Sequence, residues 1–375
     1  MRQWPYGRFG SNAVMMGRII RNLGSLLYAH PSVPEDVTGS GPFGRLKIAL
    51  VADYFTTACL SAECRIRSLT PKNYEEVIRY WKPDLLFVES AFHGKNGAWR
   101  YRLAKQPLWL RVTIPKTIRL LVALARDRGI PTLFWNKDDG AFFEDFIDVA
   151  QCFEFVFTTD SGCLERYRQC LPLGSTARLL GMPYQPAFHS FSGFRFTRNE
   201  ACFVGSYYRR ILRRRMQFLD MAFDACEDAG MRIHAFDRNH NRFSKHFEFK
   251  FPVNKHLTVH AGVPYQETAA VYTTHVVSLN VNSVTDSETM CSRRLLEILA
   301  CGGIAVTNPS LAVDRLFRDY CHVVGTRSEA GELFARLRFG PSGDDLERAG
   351  AGAAYVRSAH TWECRLEELN DVIPF

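Results

Sequence analysis

The chain has 375 residues, of which 46% are hydrophobic and 23% charged, a composition that excludes a disordered protein and leaves room for two domains. Its formal net charge of +8 favours an anionic partner, such as a nucleotide diphosphate, a nucleic acid or a lipid surface. Eleven cysteines without a CxxC pair indicate buried, reduced thiols. We therefore expect a cytoplasmic protein with neither a disulfide framework nor a cysteine zinc site.

The N-terminal residues 1–44 are expected to form an extension before the first domain. They begin with MRQWPYGRFGSN, which lacks the apolar stretch of a signal peptide, and no apolar run in the chain approaches the ~20 residues of a membrane span. The segment 14–28, VMMGRIIRNLGSLLY, is apolar with two arginines. It packs on its own domain or, as the alternative, makes peripheral contact with a membrane.

From residue 46 onward, apolar strand-like runs alternate with helical patterns. Runs of this kind occupy 46–53, 84–91, 130–136, 153–160 and 177–183. Between them, 71–82 and 117–129 carry the spacing of helix faces and ends. Continuous apolar strands separated by helices predict a parallel sheet covered on both faces, which we place in an N-terminal domain of residues 45–188.

The pattern restarts after a linker rich in Pro, Ser and Gly at 182–195. Further strands are predicted at 201–206, 231–237, 257–262, 275–281, 304–309 and 322–325. The helices between them are predicted at about 209–228, 264–273, 292–301 and 311–319. We therefore predict an α/β protein with two Rossmann-like, doubly wound domains facing across a cleft. The second domain spans 189–358, and a C-terminal helix in 359–375 braces the first.

The strongest chemical motif is SRRLLEILACGG, residues 292–303. A helix that begins near Ser292 directs free backbone N–H groups into the cleft. Arg293 and Arg294 fall in its first turn, where positive charge opposes the helix dipole, so a bound anion explains them better than the helix alone. Glu297 can accept hydrogen bonds from a ribose diol or pair with an arginine. The alternative is a helix with an internal ion pair and a glycine stop.

Other loops follow the predicted strands of the second domain. In VGSYYRR, Gly205 and Ser206 permit close approach of the backbone to a phosphate, and Arg210 can neutralise it. The alternative is an ordinary tight turn. We expect a nucleobase near the loop of Gly262 and Val263, and we place Asn280, at the end of its strand, in the same site. The arginine-rich run 209–215 is otherwise a solvated helix face.

Polar residues also follow the strands of the first domain. Candidate acid–base groups are Glu89, His93, Asp138 and Asp139. For each of them, a helix cap or a loop ion pair is the structural alternative. GxGxxG after the first strand, GxxxxGK[ST], GxSxG and HExxH are missing, which argues against NAD, P-loop, serine hydrolase and zincin chemistry.

Several long strings resemble the CgeB-like (spore maturation protein type) glycosyltransferases, with matching order over roughly residues 45–370. These strings are 85–99, 131–160, 201–210 and 287–310. The resemblance implies a GT-B fold and a hexosyltransferase-type enzyme of polysaccharide biosynthesis. Such an enzyme moves sugar from a nucleotide-diphosphate donor, with a UDP-sugar favoured, to a hydroxyl of a glycan, lipid-linked saccharide or protein. It implies no catalytic metal and no cofactor besides the donor.

The same resemblance assigns roles to individual residues. It places Gly205, Ser206 and Tyr207 near the phosphates, and Ser292, Arg293 and Arg294 facing the pyrophosphate or the sugar. It also places Glu297 on the ribose, and Glu89 and Asp138 towards the acceptor.

Two departures from the family pattern leave the stereochemistry open. Many related retaining enzymes have a glutamate eight residues before the one at Glu297, where this chain has Thr289 and Glu288 is one position off. The family more often shows Glu-Asp-Pro where this chain has Asp138-Asp139-Gly140. The alternatives are a sugar-nucleotide epimerase, a polyol-phosphate transferase or a non-catalytic sugar- or nucleotide-binding coat protein. Binding of nucleic acid is not expected.

Overall fold

A computed structural model describes residues 32–39, 41–105, 116–242 and 247–375. The segment 14–28, for which membrane contact is the alternative, and most of the expected extension 1–44 lie outside the described residues. Within the described ranges, no helix combines the length and the apolar character that crossing a bilayer requires.

The first lobe is built on a parallel sheet whose strands lie in the order β2-β1-β3-β4-β5-β6. The strands are β1 (Lys47–Val51), β2 (Arg65–Ser68), β3 (Leu85–Glu89), β4 (Thr132–Asn136), β5 (Phe155–Thr158) and β6 (Thr176–Leu179). The helices are α1 (Tyr54–Glu63), α2 (Tyr74–Glu76, continued by a π-helical turn, Val77–Trp81), α3 (Lys116–Arg126), α4 (Phe143–Ala150) and α5 (Leu164–Cys170). Every residue of β3 and β4 is buried, as expected of central strands covered on both faces.

The edge strand β2 and helix α1 were not predicted from the sequence. In β2 the letters RIRS alternate, so that only Ile66 and Ser68 are buried. Arg65 and Arg67 instead reach Asp36 in the segment before β1. A half-polar edge strand lacks the continuous apolar run that marked its neighbours.

The second lobe is built on another parallel sheet, in the order β12-β11-β10-β7-β8-β9. Its strands are β7 (Arg198–Val204), β8 (Ile233–Asp237), β9 (Leu257–Ala261), β10 (His275–Leu279), β11 (Ala305–Thr307) and β12 (His322–Val323). Its helices are α6 (Arg213–Asp228), α7 (Thr268–Thr274), α8 (Arg293–Ala300), α9 (Leu311–Leu316), α10 (Arg327–Leu337) and α11 (Gly343–Ala359). The chain reverses direction across the sheet between β7 and β10, the switch point where doubly wound sheets bind ligands. The predicted α/β class with two doubly wound sheets is confirmed.

The last helix, α12 (Trp362–Asn370), leaves the second lobe and packs on the first. The fully buried Trp362 ring lies 5.6 Å from Trp135 and 6.4 Å from Phe87, centroid to centroid. Its backbone N–H donates to the Tyr184 carbonyl (3.1 Å), and the Tyr184 N–H donates to the His360 carbonyl (2.9 Å). Helix α12 therefore links the first sheet to the end of the second lobe.

Replacing Trp362 with alanine is expected to lower the free energy of unfolding by about 3–5 kcal/mol, because it leaves a cavity against two buried aromatic rings. Denaturant titration followed by circular dichroism measures the change. Tyr80→Ala, at a side chain 79% exposed, is the matched control and should change stability by less than about 0.5 kcal/mol. Equal effects of the two substitutions would contradict this account of the terminal helix.

His360 gives the protein a specific sensitivity to acid. Burial and the nearby Arg365 lower the pKa of His360 to about 4, and neither ring nitrogen has a partner among the described residues. Because the unfolded chain takes up this proton near pH 6.5, stability is full above that pH and declines as pH falls towards 4.

We expect His360→Phe to flatten this decline, which is on the order of 2–3 kcal/mol in the parent protein. Urea denaturation at several pH values between 4 and 7.5 provides the measurement, and His256→Phe serves as control. A decline of unchanged slope in His360→Phe would show that other groups cause the acid sensitivity.

Candidate functional site

The loops that follow the strands of the two sheets meet between the lobes. Phe55, after β1, lies 4.9 Å from the ring of Tyr265, after β9. Tyr54 donates its hydroxyl proton to Gln266 Oε1 (3.0 Å), and the Ser161 N–H donates to Thr289 Oγ1 (2.9 Å). The carboxyl ends of both sheets therefore face one another, and the space between them is called the crevice below.

Helix α8 begins at the crevice with two arginines. Arg294 donates its Nε proton to the Val204 carbonyl (2.6 Å), and its guanidinium carbon lies 4.9 Å from the Phe203 ring centroid. Arg293 reaches towards the first lobe, 5.8 Å from the Phe55 ring. Arg293 Nε and Arg294 Nη1 are buried and have no hydrogen-bond partner among the described residues. Within the described ranges, neither guanidinium forms an ion pair with a carboxylate inside 4 Å.

The surroundings act differently on the two guanidinium groups. Burial lowers the pKa of Arg294, and Tyr272 and Glu297 offset this only in part. Burial also acts to lower the pKa of Arg293, but Tyr265, Cys59, Glu297 and the first-lobe Glu89 outweigh it, so the net shift is upward. Both groups stay charged at neutral pH, because an arginine pKa lies far above it. An anion between the lobes would meet them directly.

Asparagines behind the start of α8 hold it in place. Ser292 occupies the N-cap position, but its side chain makes no capping hydrogen bond; its N–H instead donates to Asn282 Oδ1 (2.8 Å). The fully buried Asn280 donates to Thr307 Oγ1 (2.9 Å), while its own Oδ1 has no partner. The predicted residues Ser292 and Asn280 thus lie on one polar layer beneath the helix start.

Three predicted loop positions lie beside Arg294 or Arg238. A β-carbon added to Gly205 would come within 2.5 Å of Arg294 Nη2, so only glycine leaves room for this guanidinium. Ser206 accepts hydrogen bonds from Asn239 (2.6 Å) and from Arg238 Nε (3.3 Å). A β-carbon on Gly262 would approach Arg238 Cα to 2.8 Å. Gly205 thus leaves room for the Arg294 guanidinium and Gly262 for the backbone at Arg238, while their approach to a phosphate and a nucleobase stays a prediction.

Arg238 and Arg242 also line the crevice, and sequence reasoning missed them. Tyr208, with smaller effects from Asp237 and the first-lobe Asp53, raises the pKa of Arg238. Burial and the neighbouring Arg238 lower the pKa of Arg242, whose buried Nε has no hydrogen-bond partner in the part of the chain that the structure describes. Both follow the carboxyl end of β8, and this position was the signal that could have identified them.

The side chains of Tyr207 and Arg210, both predicted to contact the donor phosphates, lie away from Arg294. The Tyr207 side chain is buried against Phe251, with ring centroids 5.4 Å apart, and donates its hydroxyl proton to Asp220 (2.5 Å). Arg210 is half-exposed, with its Nε 3.8 Å from Glu248 Oε2. The side chains of both residues have partners away from Arg294, so the geometry does not favour their predicted contact with a phosphate. Val263 packs against the apolar core at the lobe interface.

The arginine run 209–215 was predicted to be a solvated helix face, but not all of its side chains are exposed. Arg215 is buried and donates to the Ser206 carbonyl (3.0 Å). It therefore supports the loop of Gly205 and Ser206 from within the second lobe.

Glu297 lies one turn into α8, at the lobe interface. Its Oε1 accepts the hydroxyl proton of Tyr265 (2.9 Å), and that hydroxyl lies 3.4 Å from the Cys59 sulfur in the first lobe. Oε2 has no hydrogen-bond partner in the part of the chain that the structure describes. One oxygen of Glu297 is therefore held in position while the other remains available to a ligand.

The region eight residues before Glu297 connects the lobes. Thr289 Oγ1 donates to the Thr159 carbonyl (2.9 Å) and accepts from the Ser161 N–H. Glu288 instead pairs with Arg315, and both side chains are 59% exposed. Thr289 thus bonds to the first lobe, whereas Glu288 is paired with Arg315 at the surface.

Glu89 sits beneath the first-lobe wall of the crevice, fully buried. Its Oε1 accepts the Asp53 N–H (2.6 Å), its Oε2 accepts the Thr56 hydroxyl proton (2.6 Å), and Lys137 Nζ lies 3.7 Å away. Burial raises the pKa of Glu89 to about 6, although Lys137 acts in the opposite direction. Because both oxygens already accept hydrogen bonds, the geometry does not favour Glu89 as the group that takes a proton from an acceptor.

Asp138 is partly exposed and accepts hydrogen bonds from Ser90 (2.9 Å) and Lys137 (2.9 Å). Asp139 is buried, accepts from Asn136 (2.6 Å) and Tyr167 (2.9 Å), and has its pKa raised by burial to about 7. Asp138 can therefore reach the crevice, whereas Asp139 belongs to the structure below it.

His93 is half-buried in the loop after β3. The backbone N–H of His93 donates to Asp53 Oδ1 (3.2 Å). The ring Nδ1 is buried and has no hydrogen-bond partner within the described ranges. Burial lowers the pKa of His93; Asp53 acts in the opposite direction, whereas Arg242 and Arg238 of the other lobe lower it further. Charged groups of both lobes therefore act on the His93 imidazole.

Potential metal ligands also occur together outside the crevice. Within the described ranges, one group of at least three His, Cys, Asp or Glu side chains has its ligand atoms close together: Glu200, His234 and His275. These residues lie on β7, β8 and β10 in the second lobe.

Comparison with known proteins identifies the architecture. Residues 215–371 match the sequence family described as glycosyl transferase-like. No curated protein sequence matches the chain. The structure of HepE from Anabaena in complex with UDP and glucose has a TM-score of 0.53 at 9% identity, covering 99% of this chain and 97% of that one.

Two glucosyltransferases share the same architecture. An α-glucosyltransferase in complex with UDP and a 13-mer DNA has a TM-score of 0.59 at 10% identity, covering 88% of this chain and 99% of that one. A DNA-modifying β-glucosyltransferase, solved with and without uridine diphosphoglucose, has a TM-score of 0.54 at 11% identity and covers 88% and 100%. At these identities the likeness establishes the GT-B fold. Together with the glycosyl transferase-like sequence of the second lobe, it supports a glycosyltransferase.

Proposed function

We propose that this enzyme transfers a hexose from a nucleoside-diphosphate donor, with a UDP-sugar favoured, to a hydroxyl of a glycan, lipid-linked saccharide or protein. The observation that carries the proposal is the pair Arg293 and Arg294 in the first turn of α8. Their guanidinium groups face the crevice and lack a carboxylate partner among the described residues. The UDP and UDP-glucose in complexes of the structural neighbours support the choice of donor.

The donor lies across the carboxyl edge of β7 and β10 in this proposal. The pyrophosphate contacts Arg294, the Gly205–Ser206 backbone and the free N–H groups at the start of α8, with Arg238 nearby. The ribose hydroxyls donate to the free oxygen of Glu297. These cationic and N–H groups stabilise the negative charge that develops on the departing diphosphate as the bond from the anomeric carbon breaks. On this account the donor site works without a catalytic metal.

The acceptor approaches from the first lobe, and His93 removes its hydroxyl proton. His93 is the candidate with a neutral ring and an unoccupied nitrogen. Asp138 and Glu89 act as positioning residues that hold Lys137 at the wall of the crevice. The choice of His93 corresponds to inversion at the anomeric carbon.

The narrower assignment to the CgeB-like group, with a role in polysaccharide biosynthesis, belongs to the same proposal. It rests on the motifs in 85–99, 131–160, 201–210 and 287–310. A cytoplasmic location fits the eleven free cysteines, most of which are buried.

Arg294→Ala is expected to weaken UDP binding by about tenfold to a hundredfold, because a charge-assisted hydrogen bond contributes about 1.5–3 kcal/mol. Isothermal titration calorimetry with UDP, GDP, ADP and CDP gives the affinity and the preferred base. Arg327→Ala is the control, because this half-exposed arginine pairs with Asp224 and Asp228 on the second lobe. Unchanged affinity in Arg294→Ala would remove the guanidinium pair from the proposed donor site.

Gly205→Ala should also weaken UDP binding, by at least about tenfold, because the new methyl group displaces a guanidinium that the Val204 carbonyl holds. Gly331→Ala is the matched control, since Gly331 lies in α10 with no atom within 4 Å of an added β-carbon. Calorimetry with UDP and thermal unfolding of both variants separate binding from folding. Equal UDP affinity in the two variants would exclude close packing at Gly205 as a requirement.

His93→Gln is expected to lower kcat by about 10²- to 10⁴-fold while leaving UDP affinity unchanged, because it removes only the proton acceptor. In the parent enzyme, kcat/KM should fall as pH decreases below about 6.5, since the pKa of the His93 ring is below its ordinary value and protonation inactivates it. Detection of a new glycoside product distinguishes transfer from epimerisation or phosphate transfer. Full turnover in His93→Gln would exclude this residue as the base.

A further inference from the structure

A group of imidazoles and one carboxylate lies on the second sheet, away from the crevice. Glu200 on β7, His234 on β8 and His275 on β10 come from neighbouring strands, because β7 pairs with both others. One potential ligand atom of each lies within 4.8 Å of the other two. His234 Nε2 and Glu200 Oε2 are 2.9 Å apart. The side chains therefore already converge as the ligands of one metal ion do.

Further hydrogen bonds orient these three side chains. His275 Nδ1 lies 2.9 Å from the Val271 carbonyl, so Nδ1 carries the proton and Nε2 keeps its lone pair. His234 Nδ1 lies 2.8 Å from Nε2 of His260, and their rings are stacked. A ligating histidine commonly donates its second N–H to a neighbouring acceptor in this way. Arg232 pairs with Glu200 Oε1, while Oε2 lies 2.9 Å from His234 Nε2 and 3.5 Å from Arg198 Nη1.

Burial keeps the group suited to a metal. Glu200 and His275 are 8% and 5% exposed. Two cations face Glu200, but the side chains of Arg198 and Arg232 are 56% and 72% exposed, so solvent screens much of their repulsion.

The group is separate from the donor site. His275 is the first residue of β10, and Glu200 lies four residues before Val204, where β7 reaches the crevice. At a rise of about 3.3 Å per residue, this places the group roughly 13 Å from the crevice edge of the sheet. His275 contacts α7 through its hydrogen bond to the Val271 carbonyl, whereas the paired arginines of the donor site lie on α8.

We propose that Glu200, His234 and His275 bind one divalent transition-metal ion, with Zn²⁺ the preferred species, as a structural clamp across β7, β8 and β10. Glu200 Oε2 and Nε2 of each histidine are the protein ligands, and water completes the coordination. When the metal binds Nε2 of His234, the proton of this ring moves to Nδ1, which then donates a hydrogen bond to Nε2 of His260. The proton of His260 correspondingly moves from Nε2 to its own Nδ1. No oxidation or reduction is involved.

The test uses full-length protein with its affinity tag removed, treated with chelator and then titrated with Zn²⁺ by calorimetry. We expect one equivalent to bind and to raise the unfolding temperature, because the ion binds only the folded chain. His234→Ala and His275→Ala should each weaken binding at least about tenfold, and His260→Ala by a smaller factor. His256→Ala, just before β9, should bind as the parent does.

Co²⁺ substitution identifies the ligand type. Absorption in the visible region without a thiolate band would support nitrogen and oxygen ligands and exclude the free cysteines as the source of binding. A thiolate band, a stoichiometry far below one, or unchanged affinity in both histidine variants would overturn the proposal. Circular dichroism of each metal-free variant checks folding, and His275→Asn replaces His275→Ala if the alanine variant does not fold. Binding of UDP reports independently on the donor site and is expected to be the same with and without Zn²⁺.

Discussion

The guanidinium of Arg294 is buried at the start of α8 and, among the described residues, forms no ion pair with a carboxylate within 4 Å. The Val204 carbonyl accepts its Nε proton, the Phe203 ring lies beneath it, and Gly205 leaves the space that a β-carbon would fill. A buried charge without a counterion is costly. The fold tolerates this cost at the switch point of a doubly wound sheet, which is where such folds bind anionic ligands.

The two walls of the crevice differ in their charge. The second lobe contributes Arg238, Arg242 and the arginines of α8, whereas the first contributes Lys137 together with the carboxylates around it. Lys137 forms ion pairs with carboxylates of its own lobe. Among the described residues, the arginines of α8 form no such pair. This asymmetry favours a donor anion held by the second lobe and an acceptor hydroxyl that meets neutral or acidic groups on the first.

The sequence predicted those strands in which every residue is buried, and it did not predict β2, in which buried and partly buried residues alternate. The apolar runs of β3, β4 and β10 marked central strands, while the half-polar letters of β2 gave no comparable signal. In the site, Arg293 and Arg294 could be predicted because positive charge in a first helical turn needs an explanation.

The directions of neighbouring side chains could not be predicted from the sequence. Ser206 and Tyr207 are adjacent, yet one lies beside Arg238 and the other packs in the core with Asp220. The bend of the chain after β7 sets this difference, and local sequence does not encode it. Arg238 and Arg242 were missed for a related reason, because their loop has no periodic pattern from which to infer its course.

The threonine and serine just ahead of α8 link the donor side to the first lobe. Thr289 bonds to the backbone at 159 and 161, and Ser287 donates to Asp160 Oδ1 (2.6 Å). A rotation of one lobe against the other would pull on the same short loop that precedes α8. On the proposed donor site, widening of the crevice for product release would therefore also shift the arginines that hold the diphosphate.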